Sequence, residues 1–293
     1  MARLGFLGTP ELAVTTLDAL VAAGHDVGLV ITQPDAKRGR GGGLVKSPVK
    51  RAAEAHHIEV SEEMEALRDA SLEACVVVAY GRIIPSSLLR ELPMLNLHFS
   101  LLPRWRGAAP VERAILAGDE ETGVCVMEVV PALDEGGIYA QRRVAVGDKS
   151  LTELRAELCA LGSALLIDLL APGVAGLPAP APQLGEVTYA KKLETSELEL
   201  DFSRPADELV RVVRLGRAFT FCGASRLRIL DARVGGAVGS APGSLHGISV
   251  ATGEGSLELV EVQSEGKRPM DAEAWRRGLQ QTSAVHLGRR GDL

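Results

Sequence analysis

At 293 residues and 46% hydrophobic content, the chain has enough apolar material for one large packed domain or two ordinary ones, which excludes a disordered protein. No apolar run approaches the roughly 20 residues of a membrane span, and the opening MARLGFLGTPEL reaches a proline and an acid too early for a secretory segment, so a cytoplasmic protein is expected. The net charge of −6 excludes indiscriminate nucleic-acid binding, which depends on excess Lys and Arg.

The first element pattern, RLGFLGTPELAVTTLDALVAAGHDVGLVITQ, reads as strand, turn, helix, strand. Thr9 is placed as a helix cap and Pro10 as the first helical residue, and Val14, Leu17, Leu20 and Val21 recur at helical spacing before Gly24. The GTPEL turn lacks GxGxxG spacing, so it gives nicotinamide binding little support. From Asp35 to Arg51 the chain carries Lys37, Arg38, Arg40, Lys46, Lys50 and Arg51 against one acid, a net charge of +5. On an acidic protein such a loop points to a directed anionic contact. Ser47 and Pro48 repeat the cap-and-start arrangement for a helix through VKRAAEAH, after which EACVVVAYG gives a buried strand, PSSLLREL a short helix and MLNLHFS a further strand. This alternation predicts a Rossmann-like α/β fold, a mostly parallel sheet covered on both faces with functional residues at the carboxyl ends of its strands.

Downstream, the strands TGVCVMEVV and IYAQRRVAV flank the turn PALDEGG. Ser150 and Glu153 form a capping box for a helix carrying Leu151, Leu154, Leu158, Leu161, Leu165 and Leu169. The Pro- and Ala-rich APGVAGLPAPAPQLGEV then reads as an extended connector. A polar connector, KKLETSELELDFSRP, leads to the helix ADELVRVVRLG and to short strands in SRLRILDARV, GSLHGISVAT and SLELVEVQSEG, which predict a small five-stranded, OB-like barrel. The expected organisation is a first domain over 1–188, a linker over 189–205 and a barrel domain over 206–293. Cys75, Cys125, Cys159 and Cys222 form no CxxC pair, so they read as reduced, mostly buried thiols.

In MLNLHFS a period of two puts Leu95, Leu97 and Phe99 on one face and Asn96, His98 and Ser100 on the other. A carboxamide and an imidazolium are both donors suited to an oxyanion on a carbonyl, which fits acyl transfer. A satisfied interior histidine beside a turn-forming asparagine explains the spacing equally well. Asp134 sits before a double glycine, where a carboxylate can approach an imidazole or a ligand, although an ordinary turn aspartate is the simpler reading. The chain lacks a nucleophile elbow, which favours a mechanism without a covalent enzyme intermediate. Arg211, Arg214 and Arg217 share part of a helical face that suits either RNA or plain solvent.

SLLPRWRGAAP following NLH, together with FLGTPELA, TQPD, SPVK, VVAYGRIIP and LDEGG in that order, resembles the folate-dependent formyltransferases, and among them those acting on methionyl-tRNA. The resemblance runs from Gly5 to Gly147 and continues thinly through GEVTYAKKL, APGSL and GKRPM. It implies Asn96, His98 and Asp134 as catalytic residues. It places a 10-formyltetrahydrofolate donor in a cleft lined by Arg82, Ile83 and Ile84, by Ser100, Leu101, Leu102 and Pro103, and by Val129, Val130 and Leu133. Methionyl initiator tRNA would be held by Lys37, Arg38, Arg40, Lys46 and Lys50 and by Lys267 and Arg268 of the barrel; no metal is expected, and the enzyme is expected as a monomer. Three departures stand out: LDEGG replaces the usual LDTGD, GRGGGL replaces a more lysine-rich loop, and RAFTFCGASRL lacks the usual Pro and Trp. The rivals are a formyltransferase acting on a sugar amine, a catalytically silent RNA-binding relative and, weakest, a nicotinamide oxidoreductase.

Overall fold

A computed structural model describes residues 2–37, 42–279 and 285–289. The chain divides into two compact units, one of residues 1–111, 121–145 and 155–191, the other of residues 112–120, 146–154 and 192–293.

The first unit is built on a seven-stranded sheet. Its strands are β1 (Arg3–Gly8), β2 (Asp26–Ile31), β3 (Val60–Ser61), β4 (Ala74–Val78), β5 (Met94–His98), β6 (Glu121–Glu128) and β7 (Ile138–Ala145). Their spatial order is β7-β6-β5-β4-β1-β2-β3. Five strands, from β3 to β5, are parallel, while β6 and β7 close one side antiparallel. The sheet is therefore mostly parallel. All five residues of β4 are buried, as an interior strand with both faces covered requires. Gly5 makes this tight packing feasible, since a Cβ there would lie 2.6 Å from the Cys75 sulfur.

Helix α1 (Glu11–Ala22) buries Ala13, Thr16, Leu17 and Leu20, a stripe at 3.6-residue spacing. Its cap differs from expectation. Pro10 is the cap residue and no side chain caps the helix, because the Thr9 hydroxyl donates instead to the Tyr80 carbonyl at 3.1 Å. In α2 (Pro48–Ala55) the expected cap is present, with Ser47 Oγ accepting from the Lys50 amide at 3.0 Å. Helix α3 (Ser86–Glu91) precedes β5, and α4 (Pro110–Ala117) follows it in the chain. The long helix α5 (Leu151–Leu170) begins with the expected capping box, Ser150 N to Glu153 Oε2 at 2.8 Å and Glu153 N to Ser150 Oγ at 3.3 Å. Farther along, Gly162 lets α5 lie against the sheet, for a Cβ there would be 2.9 Å from both Leu97 and Val124. The stretch after α5 is mostly extended; Ala181 bridges Ile138, and Tyr189–Ala190 pairs with Arg106–Gly107.

The second unit is an antiparallel barrel. Its strands are β8 (Phe219–Cys222), β9 (Ser225–Gly235), β10 (Leu245–His246), β11 (Ser249–Ala251), β12 (Ser256–Ser264), β13 (Met270–Asp271) and β14 (Leu287–Gly288), in the order β10-β11-β12-β9-β8-β14 with β13 beside β12. A bridge between Ser244 and His286 and a 3.0 Å bond from the Leu245 amide to the Val285 carbonyl tie the two outer strands together. That bond closes the sheet. Among the described residues the barrel holds more than the five strands expected, because two-residue strands such as β14 leave no alternating pattern. The segment read as a polar connector also contributes to the core: Leu198, Leu200 and Phe202 are buried, their alternation hidden among acids. Helix α6 (Ala206–Val213) packs on this core through Leu209, Val212 and Val213, and α7 (Ala272–Gly278) does so through Trp275.

Candidate active site

The site forms where β1, β2, β4 and β5 end. Thr9 after β1 and Gln33 after β2 both donate to the Tyr80 carbonyl beyond β4, at 3.1 and 2.8 Å. Three motifs far apart in sequence thus share one carbonyl. Gly81, with φ of +80°, turns the chain away from it, and a Cβ there would meet the Gln33 amide at 2.8 Å.

Asn96 and His98 lie on one face of β5, as the period of two predicts. His98 is only 6% exposed. Its Nε2 is 3.0 Å from the Trp105 carbonyl; a carbonyl only accepts, so this nitrogen carries a proton. Its Nδ1 faces Asp134, with Oδ2 at 3.6 Å. The Asn96 carboxamide is half-buried, and among the described residues nothing hydrogen-bonds it, which leaves its N–H groups for a ligand.

The turn SLLPRWRG holds the histidine from behind. Ser100 Oγ donates to the Arg104 carbonyl at 2.6 Å, the Trp105 amide donates to Thr188 Oγ1 at 2.9 Å, and the Arg104 guanidinium lies 4.5 Å from the Trp105 ring centre. Trp105 has φ of +63°, an uncommon left-handed conformation for a bulky residue, and it is this turn that aims the carbonyl at His98. The Asp134 turn sits opposite: its carboxylate accepts the Gly107 amide at 2.7 Å. Cys125, paired with His98 across β5 and β6, donates its thiol to the Ser100 carbonyl at 3.1 Å. Burial pushes that thiol up to about 11, so it stays protonated and is no nucleophile at neutral pH.

The structure brings His98 and Asp134 together, with Asn96 on the same face of β5 as His98. Of the residues assigned to the folate cleft, Ile83 is 90% exposed and Leu133 is 63% exposed, apolar side chains standing in solvent as a flat heterocyclic ligand would need. Arg82 is exposed, its Nη1 donating to the Glu62 carbonyl at 3.2 Å, and Val130 is half-buried. Ile84 and Val129 pack on one apolar cluster beneath. Ser100, Leu102 and Pro103 are buried and support the turn from within; Leu101 is half-buried, against the position a Gly123 Cβ would occupy.

The residues assigned to tRNA divide differently. Arg38 and Arg40 lie outside the described residues, as does the Lys37 side chain. Lys46 pairs with Glu54 at 2.8 Å. Lys50 pairs with Asp35 at 2.9 Å and Glu62 at 3.3 Å, and its ammonium is held above the usual lysine value, chiefly by the Asp35 hydrogen bond. Lys50 therefore anchors the base of the basic loop. Lys267 and Arg268 are exposed in the turn between β12 and β13. The shared helical face expected for Arg211, Arg214 and Arg217 does not form, because α6 ends at Val213, Arg214 caps it and Arg217 lies exposed beyond Gly216. Arg211 pairs with Asp207, and Arg214 donates to the Lys149 and Gly147 carbonyls at 2.9 and 2.6 Å.

Sequence reasoning missed Arg106 and Gln183. Arg106 is 8% exposed; it donates to Glu135 Oε1 at 2.8 Å and twice to Gln183 Oε1, at 3.1 and 2.8 Å. Gln183 in turn donates to the Asp134 and Gly136 carbonyls at 2.7 and 2.8 Å. Only its place in SLLPRWRG, one residue beyond Trp105, signalled Arg106; nothing marked Gln183. Among the described residues, no group of three or more His, Cys, Asp or Glu is placed to hold a metal ion, and no helix is long and apolar enough to cross a membrane.

The sequence pattern of the Formyl transferase family covers residues 2–170, and that of the Formyl transferase C-terminal domain covers residues 192–280. A methionyl-tRNA formyltransferase of Jannaschia sp. (strain CCS1) is 42% identical over 290 residues, spanning 93% of this chain and 95% of that protein. One from Methylococcus capsulatus (strain Bath) is 44% identical over 292 residues, spanning 92% and 94%. In fold, the chain is similar to an N-formyltransferase from Helicobacter canadensis, solved with folinic acid and dTDP-3-aminofucose. The TM-score is 0.68, at 16% identity, over 88% of this chain and 98% of that one.

Proposed function

The chain belongs to the formyl transferase family, and from that premise we propose that it transfers the formyl group of 10-formyltetrahydrofolate to the α-amino group of methionyl initiator tRNA, giving N-formylmethionyl-tRNA. The observation that carries this reading is the pairing of His98 with Asp134, both held by the SLLPRWRG turn, with Asn96 two residues before His98 on the same strand face.

The uncharged α-amine attacks the formyl carbon, and the carbonyl oxygen becomes a tetrahedral oxyanion. The Asn96 amide is the donor free to bind that oxygen, and His98 supplies a second donor through Nδ1 when the ring is protonated. The Asp134 carboxylate faces the same nitrogen, opposing the positive charge of the imidazolium and standing ready to pass a proton. Collapse of the intermediate breaks the bond from the formyl carbon to the folate nitrogen. The proton lost by the amine ends on that nitrogen, so tetrahydrofolate leaves. Ile83 and Leu133 give the donor's ring apolar surface, with Ile84, Val129, Val130 and Arg82 around them. The catalytic work belongs to the first unit, and the barrel contacts the tRNA with Lys267 and Arg268, while the basic loop meets the acceptor end. A monomeric cytoplasmic enzyme fits this reading.

The test is transfer of a labelled formyl group from 10-formyltetrahydrofolate to methionyl initiator tRNA, with methionyl elongator tRNA as the control acceptor. Transfer confined to the initiator supports the reading. A folded protein that formylates neither tRNA but accepts a nucleotide-linked amino sugar would replace it with the sugar-amine alternative.

A further inference from the structure

Resting on the formyl-transfer reading above, we propose that Gln183 is a positioning residue for the reaction: held by Arg106, it fixes the backbone of the turn Asp134 to Gly136 and so keeps the Asp134 carboxylate beside His98.

Asp134 has φ of +50°, a left-handed conformation that aspartate tolerates better than most residues with a Cβ but that its surroundings still have to hold. The source of that constraint is visible. Both N–H groups of the Gln183 amide are spent on the turn, at 2.7 Å to the Asp134 carbonyl and 2.8 Å to the Gly136 carbonyl. Its oxygen accepts two bonds from Arg106, at 3.1 and 2.8 Å. Every polar atom of the amide therefore has a partner, and the side chain has no second arrangement of equal quality. Arg106 is itself nearly buried, and its charge is met by Glu135, the next residue of the same turn, at 2.8 Å. The arginine thus grips the turn twice, directly through Glu135 and indirectly through Gln183.

The strap carrying Gln183 is tied at both ends. Before it, Ala181 and Ile138 exchange backbone bonds at 2.7 and 2.9 Å. This approach depends on Gly137, where a Cβ would lie 2.8 Å from Pro180 and 3.1 Å from the Ala181 carbonyl. After it, Thr188 accepts the Trp105 amide at 2.9 Å, and Tyr189–Ala190 pairs with Arg106–Gly107. Trp105 supplies the carbonyl that holds His98, and Gly107 the amide that holds the Asp134 carboxylate. One strap therefore fixes both partners of the His98–Asp134 pair relative to each other.

The experiment is a double-mutant cycle on formyl transfer to methionyl-tRNA, pairing Gln183→Leu, which keeps the volume and removes the polar atoms, with Asp134→Asn. In the wild-type background Gln183→Leu should lower kcat about 30-fold while KM for both substrates stays within about twofold, as expected when a reacting group is misplaced without losing substrate contacts. In the Asp134→Asn background the same change should lower kcat by less than about threefold. Glu135→Gln, at the more exposed end of the clamp and still offering Arg106 an acceptor, should lower kcat about fivefold and lose that effect in the same background, with thermal unfolding run beside it. Equal losses in both backgrounds, or an unchanged kcat, would overturn the inference, since a merely structural support acts independently of the Asp134 charge. A folded wild-type protein that transfers no formyl group fails before any variant is compared, and it overturns the functional reading together with the inference.

Discussion

Oδ2 of Asp134 stands 3.6 Å from Nδ1 of His98 and accepts the Gly107 amide at 2.7 Å. The backbone amide takes one lone pair of the carboxylate and pins its orientation, so the oxygen facing the imidazole is set by the turn and not by the histidine. Asp134→Asn keeps the shape and removes the charge. It is expected to lower kcat about 100-fold or more, within the range for losing a preorganised charged group at a reacting centre, with the melting temperature unchanged. Single-turnover formyl transfer, read beside thermal unfolding, checks both halves of this expectation.

The same turn sets a steric limit at Gly136. A Cβ built there would be 1.9 Å from the Glu128 carbonyl oxygen, a backbone atom that cannot swing aside. Gly136→Ala must displace the end of β6 or open the turn, at a cost of about 3 kcal/mol. The expected result is a lower melting temperature together with a loss of activity. Gly147 has no atom within 4 Å of an added Cβ but a φ of +49°, so Gly147→Ala should cost only the backbone term, about 1 kcal/mol. Denaturant unfolding of the two variants side by side separates collision from strain.

What could be read from the sequence depends on how far apart the interacting groups lie. Asn96 and His98 are two residues apart on a strand, and alternation alone puts them on one face. Asp134 reaches them only because β6 runs back antiparallel beside β5, and no local pattern reports that; the resemblance carried by LDEGG did. Gln183 is farther still, in a Pro- and Ala-rich stretch whose composition matches a featureless connector. Its role consists of hydrogen bonds to carbonyls, which every residue possesses, so no residue type marked the site. Leu200 and Phe202 illustrate a different loss. Their alternation was present in ELELDF, but the surrounding acids masked it as a polar linker.

Cations assigned to the tRNA separate into two kinds once their partners are known. Lys267 and Arg268 are exposed, whereas Lys50 is held by Asp35 and Glu62. The double variant Lys267→Ala, Arg268→Ala should raise KM for tRNA with little change in kcat, and should flatten the salt dependence of tRNA binding by about 1.5 in log–log slope if both contact phosphates. Lys50→Met instead leaves two carboxylates facing each other, so a lowered melting temperature should accompany any loss of tRNA affinity. Filter binding across a salt series, with thermal unfolding of each variant, tells the two kinds apart.

In the second unit Glu197 offers a pH test of stability that is independent of catalysis. Arg113 grips its carboxylate with both terminal guanidinium nitrogens, at 2.5 and 3.1 Å, and the Glu194 amide donates to it at 2.9 Å. The Arg113 hydrogen bond is the main cause holding the Glu197 carboxyl below its ordinary value of 4.5. A carboxyl lowered on folding contributes stability that is fully present above its unfolded value and disappears as the pH falls through the lower folded value. Glu197→Gln should therefore melt about 2 °C below the wild type at pH 7, a modest shift because the pair is partly exposed and screened by solvent. The gap should persist down to the ordinary glutamate range and close below it. Melting curves of both proteins from pH 7 to pH 3, in a buffer where both refold, give the comparison; a gap that stays constant across that range would mean that the charge of Glu197 contributes nothing and that its hydrogen bonds carry the whole effect.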